Sequence, residues 1–254
     1  NSGVPNAIRV FKEMKEAGLP MKGYVIRIDS GDLAYLSKQA YKMLSEAGFG
    51  DAIISASSDL DEYLIESLKA QGAKINSWGV GTNLITCNDN PAFGGVYKLA
   101  AIKNKEDADF VPKIKLSENV EKVTNPGNKT IMRIYDKTTG KIRADLICLE
   151  DEIFNPDEDM ILFDPMATWK KTKLTGGSYI LRELLVPVFK KGECVYTSPS
   201  VMEIKDICQK ELNTLWDETR RFTNPQEVFV DLSDKLYKIK SELLEEMGQA
   251  SIES

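Results

Sequence analysis

Three short polar runs in this sequence contain residue types that could do chemistry, and each follows a segment patterned like a strand. The runs are Arg27-Ile28-Asp29-Ser30-Gly31-Asp32, Ser55-Ala56-Ser57-Ser58-Asp59-Leu60-Asp61 and Gly79-Val80-Gly81-Thr82-Asn83. A guanidinium group pairs well with phosphate or carboxylate, and small residues let a ligand approach the backbone. A glycine-containing turn before a helix exposes N–H groups to a phosphate. Together the runs predict a site for a sugar phosphate.

Each run also has a purely structural interpretation. Asp29 could simply be the ionic partner of Arg27, and Asp32 fits the N-cap position of the next helix. Asp59 stands three residues before Glu62, which is the spacing of a capping box. The glycine pair of the third run could form only a tight turn. The site interpretation depends on all three runs occupying equivalent positions along the chain.

The elements that would position these runs alternate between strand and helix over residues 1–96. Strands are predicted near 24–28, 52–56 and 75–79, with amphipathic helices between them. Strands that recur about every 25 residues with intervening helices predict parallel βαβ units, so the fold class is α/β. Reacting groups in such folds lie where the strands end. Both a doubly wound sheet and a (β/α) barrel are built from these units.

The pattern changes after residue 96. Residues 97–195 are predicted to be a mainly antiparallel, strand-rich region, and residues 196–254 a C-terminal helical segment. Helix starts are predicted at Ser198-Pro199 and at Ser233. The strands of the middle region are predicted at 96–102, 129–136, 142–149 and 179–189.

Composition narrows the possible partners. Lys and Arg total 33 against 39 Asp and Glu, which gives a formal charge of -6 and argues against nucleic acid or an anionic membrane as the main partner. The apolar runs are too short to span a bilayer. The four cysteines lack CxxC spacing, which favours reduced thiols and a cytoplasmic location. The chain has no histidine, so any imidazole chemistry must lie outside it.

Several runs closely resemble signature segments of nicotinate phosphoribosyltransferases, and they occur in the expected order. The resemblance is carried by 27–37, 58–62, 78–86 and 91–99, and also by 2–7 and 122–129. It implies part of an irregular α/β (TIM-like) barrel, joined to a smaller strand-rich domain and C-terminal helices. The chain begins without Met, directly at a predicted helix, which favours a fragment. The resemblance implies that this fragment is the C-terminal half of such a protein.

The resemblance implies a reaction as well. Enzymes of this family make nicotinate mononucleotide and pyrophosphate from nicotinate and phosphoribosyl pyrophosphate in NAD biosynthesis. They use Mg²⁺ and couple the reaction to ATP hydrolysis through a phosphorylated histidine, often as homodimers. Because this chain has no histidine, the missing N-terminal half is expected to supply it, and the isolated chain is expected to be inactive. The alternative is a non-catalytic phosphoribosyl-binding or assembly module of a split protein.

The resemblance also assigns roles to individual residues. Arg27 is expected to meet the nicotinate carboxylate or a phosphate, and Asp29 to hold ribose hydroxyls and favour a cationic transition state. Ser58 and Asp59 are expected at the ribose end, and the backbone N–H groups of Gly81 and Thr82 at the 5′-phosphate. The remaining substrate-binding residues are Ser30, Gly31 and Gly79. Lys122 and Thr124 are predicted in a loop near the site, and no residue is expected to be a metal ligand.

Overall fold

The protein is described by a computed structural model, which covers residues 2–106, 108–117 and 122–253. Its contacts separate the chain into two compact units that divide between Gly95 and Val96. Helices and strands occur in both units, so the architecture is mixed α/β. Among the described helices, none is long and apolar enough to cross a membrane.

The first unit contains the predicted βαβ units. Strands β1, β2 and β3 lie side by side in that order, and both neighbouring pairs are parallel. The third strand is shorter than predicted because the Asn76 side chain accepts a hydrogen bond from the Ile54 N–H at 2.8 Å, so regular pairing begins only at Ser77. The elements are α1 (Gly3–Glu16), β1 (Val25–Ile28), α2 (Leu33–Glu46), β2 (Ile53–Ala56), α3 (Glu62–Ala70), β3 (Ser77–Trp78) and α4 (Thr82–Ile85).

The two faces of this sheet differ in cover. Ile26 and Ile54 point toward the helices and are at most 9% exposed, in a cluster that includes Phe11. Residues on alternate positions, such as Val25 and Arg27, point the other way, and Val25 is 49% exposed. Parallel sheets normally have both faces covered. In this unit the helices cover one face, and the opposite face is the one that carries polar side chains toward the strand ends.

Side-chain caps set the starts of the helices that follow the strands. Asp32 accepts a hydrogen bond from the Tyr35 N–H at 2.9 Å and caps α2, as its structural interpretation predicted. The predicted capping box of Asp59 and Glu62 is wrong, because the N-cap of α3 is Asp61, which accepts from the Leu64 N–H at 2.7 Å. Asp59 lies two residues before this N-cap and does not cap the helix.

The second unit is rich in strands. Its main sheet has the order β10-β6-β7-β13, and β8 and β9 form a separate hairpin, here called the β8–β9 hairpin. The elements are β4 (Ala101–Ile102), β5 (Val111–Pro112), β6 (Lys129–Asp136), β7 (Ile142–Leu149), β8 (Met160–Asp164), β9 (Ala167–Leu174), β10 (Tyr179–Glu183), β11 (Phe189–Lys190), β12 (Glu193–Cys194), α5 (Val201–Thr214), α6 (Asp217–Arg220), β13 (Val230–Leu232) and α7 (Asp234–Glu253).

Pairing in the main sheet is antiparallel except at one edge. β6 pairs antiparallel with β7 and with β10, while β13 joins β7 in parallel. The strand predicted at 96–102 is paired only at Ala101–Ile102, and the one predicted at 179–189 ends at Glu183. β13 and the β8–β9 hairpin were not predicted, since β13 has only three residues and β9 is interrupted by lysines.

Two apolar clusters hold this unit together. One lies between the main sheet and the β8–β9 hairpin and includes Ile134, Leu146 and Leu162. The other joins β7 and β13 to α7 through Leu149, Leu232 and Leu236. Ser233 caps α7 by accepting from the Leu236 N–H, as predicted. The cap of α5 is Ser200, in a capping box with Glu203, so the predicted start at Ser198 is two residues early.

Candidate functional site

The three polar runs meet at one edge of the first unit's sheet. In the parallel register Ile28 stands beside Ala56, and Ala56 beside Trp78. The ladder continues one residue further, because the Ser57 N–H donates to the Ile28 carbonyl at 3.0 Å and the Gly79 N–H to the Ala56 carbonyl at 2.7 Å. The strand ends therefore bring the three runs together, as their equivalent positions in the sequence indicated.

Arg27, Ser57 and Asp29 form a closed polar cluster at this edge, here called the Arg27–Ser57–Asp29 triad. Arg27 Nη2 lies 2.9 Å from Asp29 Oδ2. Arg27 Nε donates to Ser57 Oγ at 2.8 Å, and Ser57 Oγ in turn donates to Asp29 Oδ1 at 2.5 Å. The Ser57 hydrogen bond, followed by Arg27, lowers the pKa of Asp29 below its ordinary value. Asp29 is therefore a carboxylate at neutral pH.

The triad is open to solvent. The side chains of Arg27 and Asp29 are 64% and 57% exposed. Arg27 lies on the face of the sheet opposite the helices. Exposure leaves the outer N–H groups of the guanidinium accessible to an anion.

Ser57 is the member of the triad that the sequence interpretation missed. The run Ser55–Asp61 was recognised as polar, but Ser58 and Asp59 were chosen from it. Alternation along a strand places Ser57 on the same side as Ser55, and Asp29 on the same side as Arg27. Only the register, in which Arg27 pairs with Ser55, brings Ser57 and Asp29 together.

Ser58 and Asp59 adopt an uncommon backbone conformation. Their φ angles are +93° and +45°, in a region that non-glycine residues rarely occupy and that is often found at functional sites. The Asn83 amide holds this turn by donating to the carbonyls of Asp59 and Leu60 at 3.1 and 3.2 Å. Both side chains are exposed, and within the described residues no hydrogen bond or ion pair joins them to the triad.

Ser30 and Gly31 lie on the turn between Asp29 and the start of α2. Gly31 has a φ of +79°, and a Cβ atom there would lie 3.1 Å from Leu36 Cδ1. A side chain at this position would therefore be strained both by the backbone and by its neighbour. Glycine lets the chain reverse sharply and keeps Asp29 at the edge of the sheet.

Neither glycine at the start of the third run is crowded by its neighbours. A Cβ on Gly79 would lie 3.4 Å from Ser57 Cβ, whereas one on Gly81 would meet nothing within 4 Å. The Gly81 carbonyl accepts from the N–H groups of Leu84 and Ile85, which starts the single turn of α4 at Thr82. The first N–H groups of a helix lack intrahelical acceptors, so the space beside Gly81 borders available donors.

Cavities indicate which open space adjoins the site. One of about 350 Å³ lies beside the third run and is lined by Asp61, Val80, Asn83, Leu84 and Cys87, among others. A cavity of about 520 Å³ lies in the second unit beside Trp216 and holds none of the predicted site residues. The volume of a cavity therefore does not locate the candidate site, which is defined by the strand ends.

Lys122 and Thr124 make their described contacts within the second unit. The Lys122 carbonyl accepts from Lys98 Nζ at 2.9 Å, and Thr124 Oγ1 accepts from the Lys115 N–H at 3.0 Å. These contacts fix the loop locally. They give neither residue a binding role.

Comparison with known proteins assigns the chain to a family. Residues 128–240 match the nicotinate phosphoribosyltransferase C-terminal domain. A nicotinate phosphoribosyltransferase of Bacillus subtilis is 45% identical over 98% of this chain and 51% of its own length, and one of Caenorhabditis elegans is 36% identical over 93% and 42%. The chain thus spans about half the length of the curated relatives it matches.

A solved structure agrees at the level of the fold. The crystal structure of human nicotinic acid phosphoribosyltransferase matches with a TM-score of 0.63 at 23% identity, over 87% of this chain and 40% of the human chain. The two sequence matches run through both units, including the three polar runs. The chain is a member of the nicotinate phosphoribosyltransferase family over the portion of those proteins that it spans.

Proposed function

We propose that this chain forms the phosphoribosyl-binding part of a nicotinate phosphoribosyltransferase that makes nicotinate mononucleotide from nicotinate and phosphoribosyl pyrophosphate. The observation that carries the proposal is the Arg27–Ser57–Asp29 triad at the strand ends, beside the Gly79–Thr82 turn. Ionised, exposed groups at that edge of a parallel sheet are typical of ligand sites. The family membership supplies the reaction to which the site is assigned.

The triad suits the charge that develops in this reaction. As pyrophosphate leaves, C1 of the ribose becomes cationic, and a fixed carboxylate beside it lowers the barrier. Asp29 is held ionised by Ser57 and Arg27, so it can accept hydrogen bonds from ribose hydroxyls without changing protonation state. Arg27 uses Nε and Nη2 within the triad, and its remaining donors face solvent, where they would meet the nicotinate carboxylate or a phosphate.

The neighbouring runs supply the rest of the proposed site. Gly81 and Thr82 would bind the 5′-phosphate through their backbone N–H groups, next to Gly79, while Ser58 and Asp59 would line the ribose end. Ser30 has a small side chain and Gly31 has none, so these residues leave the approach to Asp29 open. Among the described residues there is no group of three or more acidic, Cys or His side chains that could hold a metal. Mg²⁺ therefore fits as an ion carried on the substrate's phosphates, with few protein ligands.

The proposal includes a TIM-like barrel for the intact protein. A barrel wall has helices on its outer face and side chains pointing inward on the other. The sheet of the first unit has this arrangement, since Ile26 and Ile54 pack on helices while Arg27 points away from them. The chain has no histidine, so coupling to ATP through a phosphohistidine would need residues from outside this chain.

Binding by the chain itself tests the site. Isothermal titration with phosphoribosyl pyrophosphate and Mg²⁺ is expected to detect binding, and Asp29→Asn is expected to weaken it. Glu66→Gln is the matched control, because Glu66 is an exposed carboxylate on α3 of the same unit. If the folded chain shows no binding, or if both variants bind like the wild type, then the proposed placement of the site is wrong.

Turnover tests the activity. In a chimera, this chain replaces the matching half of the Bacillus subtilis relative, to which it is 45% identical. Formation of nicotinate mononucleotide that depends on Asp29 supports the enzyme assignment. A folded chimera that binds phosphoribosyl pyrophosphate and forms no product would instead favour a non-catalytic phosphoribosyl-binding module.

A further inference from the structure

The second unit contains a cavity that the proposed reaction does not use. It has a volume of about 360 Å³ and lies between the main sheet and the β8–β9 hairpin. Its apolar lining comes from both layers. These side chains are Ala144, Leu162, Phe163, Leu174 and Phe229.

A buried carboxyl group lines this cavity. Asp231 lies on β13 beside Leu146 and is 5% exposed. Among the described residues no donor makes a hydrogen bond to its side chain, and its oxygens are not among the fully buried atoms that lack a partner, so they face the open space of the cavity. An unpaired buried carboxylate is costly, so a molecule that supplies a donor would be favoured.

The other charged groups of the cavity leave Asp231 without an ionic partner. The guanidinium of Arg143 is held by Asp136 at 2.7 Å. The ammonium of Lys170 lies 3.9 Å from Asp164 Oδ2, at the outer limit of an ion pair. Lys171 also lines the cavity but has no ion pair with Asp231 in the described part of the chain.

We propose that this cavity binds a small organic cation, with an ammonium or amidinium group that pairs with Asp231 and an aliphatic or aromatic body between the two layers. The apolar lining would bury the body, and a few polar groups would fix its orientation, as in most small-molecule sites. The walls do not suit a bare metal ion, since no group of three potential ligands is found among the described residues. Asp164, the second carboxylate of the cavity, would also attract the positive charge of the bound molecule.

A proton and the proposed cation would compete for the Asp231 carboxylate, so the binding affinity should depend on pH. Burial, followed by the negative charge of Asp164, raises the pKa of Asp231 to about 6. Only the ionised form would pair with a cation, so the affinity is expected to fall about tenfold from pH 7 to pH 5. The other charged groups that line this cavity are Arg143, Asp164, Lys170 and Lys171.

Benzamidine titrated into the chain at pH 7.5 and followed by NMR is the direct test. The proposal predicts binding by the wild type, a loss of about thirtyfold or more in Asp231→Asn, and unchanged affinity in Asp206→Asn, an exposed carboxylate on α5. Asp164→Asn should weaken binding by less than Asp231→Asn, and this variant retains the buried acid if Asp231→Asn misfolds. Benzyl alcohol, which has the same ring without a charge, should bind far more weakly.

Three results of the binding experiments would overturn the proposal. They are absence of benzamidine binding at pH 7.5, equal binding of benzyl alcohol, or equal binding by Asp231→Asn. An NMR titration of the ligand-free chain that places the Asp231 pKa below its ordinary value would also do so, because it would mean that Lys170 or Lys171 already occupies the position of the cation.

Discussion

The two units each contain an arginine–carboxylate cluster, and the clusters differ in burial. In the first unit Arg27 and Asp29 are 64% and 57% exposed. In the second, Arg133 and Asp145 are 23% and 14% exposed and form a bidentate pair at 2.8 Å for both bonds, with Glu211 of α5 joining Arg133 to Arg182. Exposed ion pairs contribute little to stability, whereas a partly buried pair is expensive to break. We therefore propose that similar chemistry binds a ligand in the first unit and stabilises the fold in the second.

The largest expected effect is on catalysis in the first unit. Asp29→Ala in the Bacillus subtilis chimera is expected to lower kcat/KM roughly 100- to 1000-fold, since it removes a preorganised charge at the reacting carbon. Because the Asp29 side chain is exposed, the urea unfolding midpoint of the chain itself should not change. Steady-state kinetics and denaturation of the same variant measure both quantities. If Asp29→Ala instead lowers the unfolding midpoint and leaves kcat/KM unchanged, then the exposed pair stabilises the fold and does not serve the reaction.

The corresponding change in the second unit should act on stability. Asp145→Ala leaves Arg133 partly buried without its bidentate partner and is expected to cost roughly 2–4 kcal/mol of unfolding free energy, at or below the usual cost for a buried pair. Urea denaturation of the chain measures it. Asp151→Ala is the control, because Asp151 and its partner Lys235 are 70% and 51% exposed, and the loss of this pair should cost far less. Equal losses in the two variants would show that burial does not separate the two kinds of pair.

Titration of Asp231 extends the comparison to an acid without an ionic partner. Its pKa is raised to about 6 in the folded chain and is about 3.9 in an unfolded one. Between these values the unfolded state loses its proton first, so stability falls as pH rises from about 4 to about 6 and is constant above that. Asp231→Asn removes the ionisable group, and with it this loss of stability at higher pH. It should stabilise the chain by about 2–3 kcal/mol at pH 7.5 and by nothing below pH 4.

Thermal unfolding of the wild type and Asp231→Asn across pH 3.5–8 measures this dependence. The difference between their melting temperatures should grow with pH and reach a plateau above pH 7. A constant difference across the range would mean that the substitution acts through packing. A wild type that gains stability as pH rises toward 6, relative to Asp231→Asn, would mean that the Asp231 carboxylate has a partner in the folded chain.

The sequence predicted the parts of the fold that depend on local patterns. The strands of the first unit, the Asp32 cap and the paired strands β6 and β7 were predicted because alternation and capping residues are read over a few positions. The parallel addition of β13 to β7 joins residues about 85 positions apart and leaves no local signal. The capping error at α3 arose because Asp59 and Asp61 are both suitable caps, and only the φ of +45° at Asp59 excludes it.

The candidate site was predictable in position and incomplete in detail. Arg27 and Asp29 were identified because charged residues after a strand are informative by type. Ser57 was passed over because serine is common in turns, and its importance lies in two contacts that depend on the register between β1 and β2. The buried Asp231 was not singled out either, since its burial follows from the unpredicted pairing of β13.

The smallest expected effect isolates the role of Ser57. Ser57→Ala removes the hydroxyl that bridges Arg27 Nε and Asp29 Oδ1 but leaves the direct contact between the two charged groups at 2.9 Å. Since hydrogen bonds to charged groups are among the stronger ones, kcat/KM of the chimera is expected to fall about tenfold, which is a smaller loss than that of Asp29→Ala.

The same variant should change the Asp29 pKa. Since the Ser57 hydrogen bond is the first cause of the lowered Asp29 pKa, that pKa should rise toward its ordinary value, which carboxyl NMR can follow. Ser57→Thr should restore both quantities, because it returns a hydroxyl to the same position. If activity falls while the Asp29 pKa stays low, then Ser57 contacts substrate directly, and the triad is a binding surface whose members act separately.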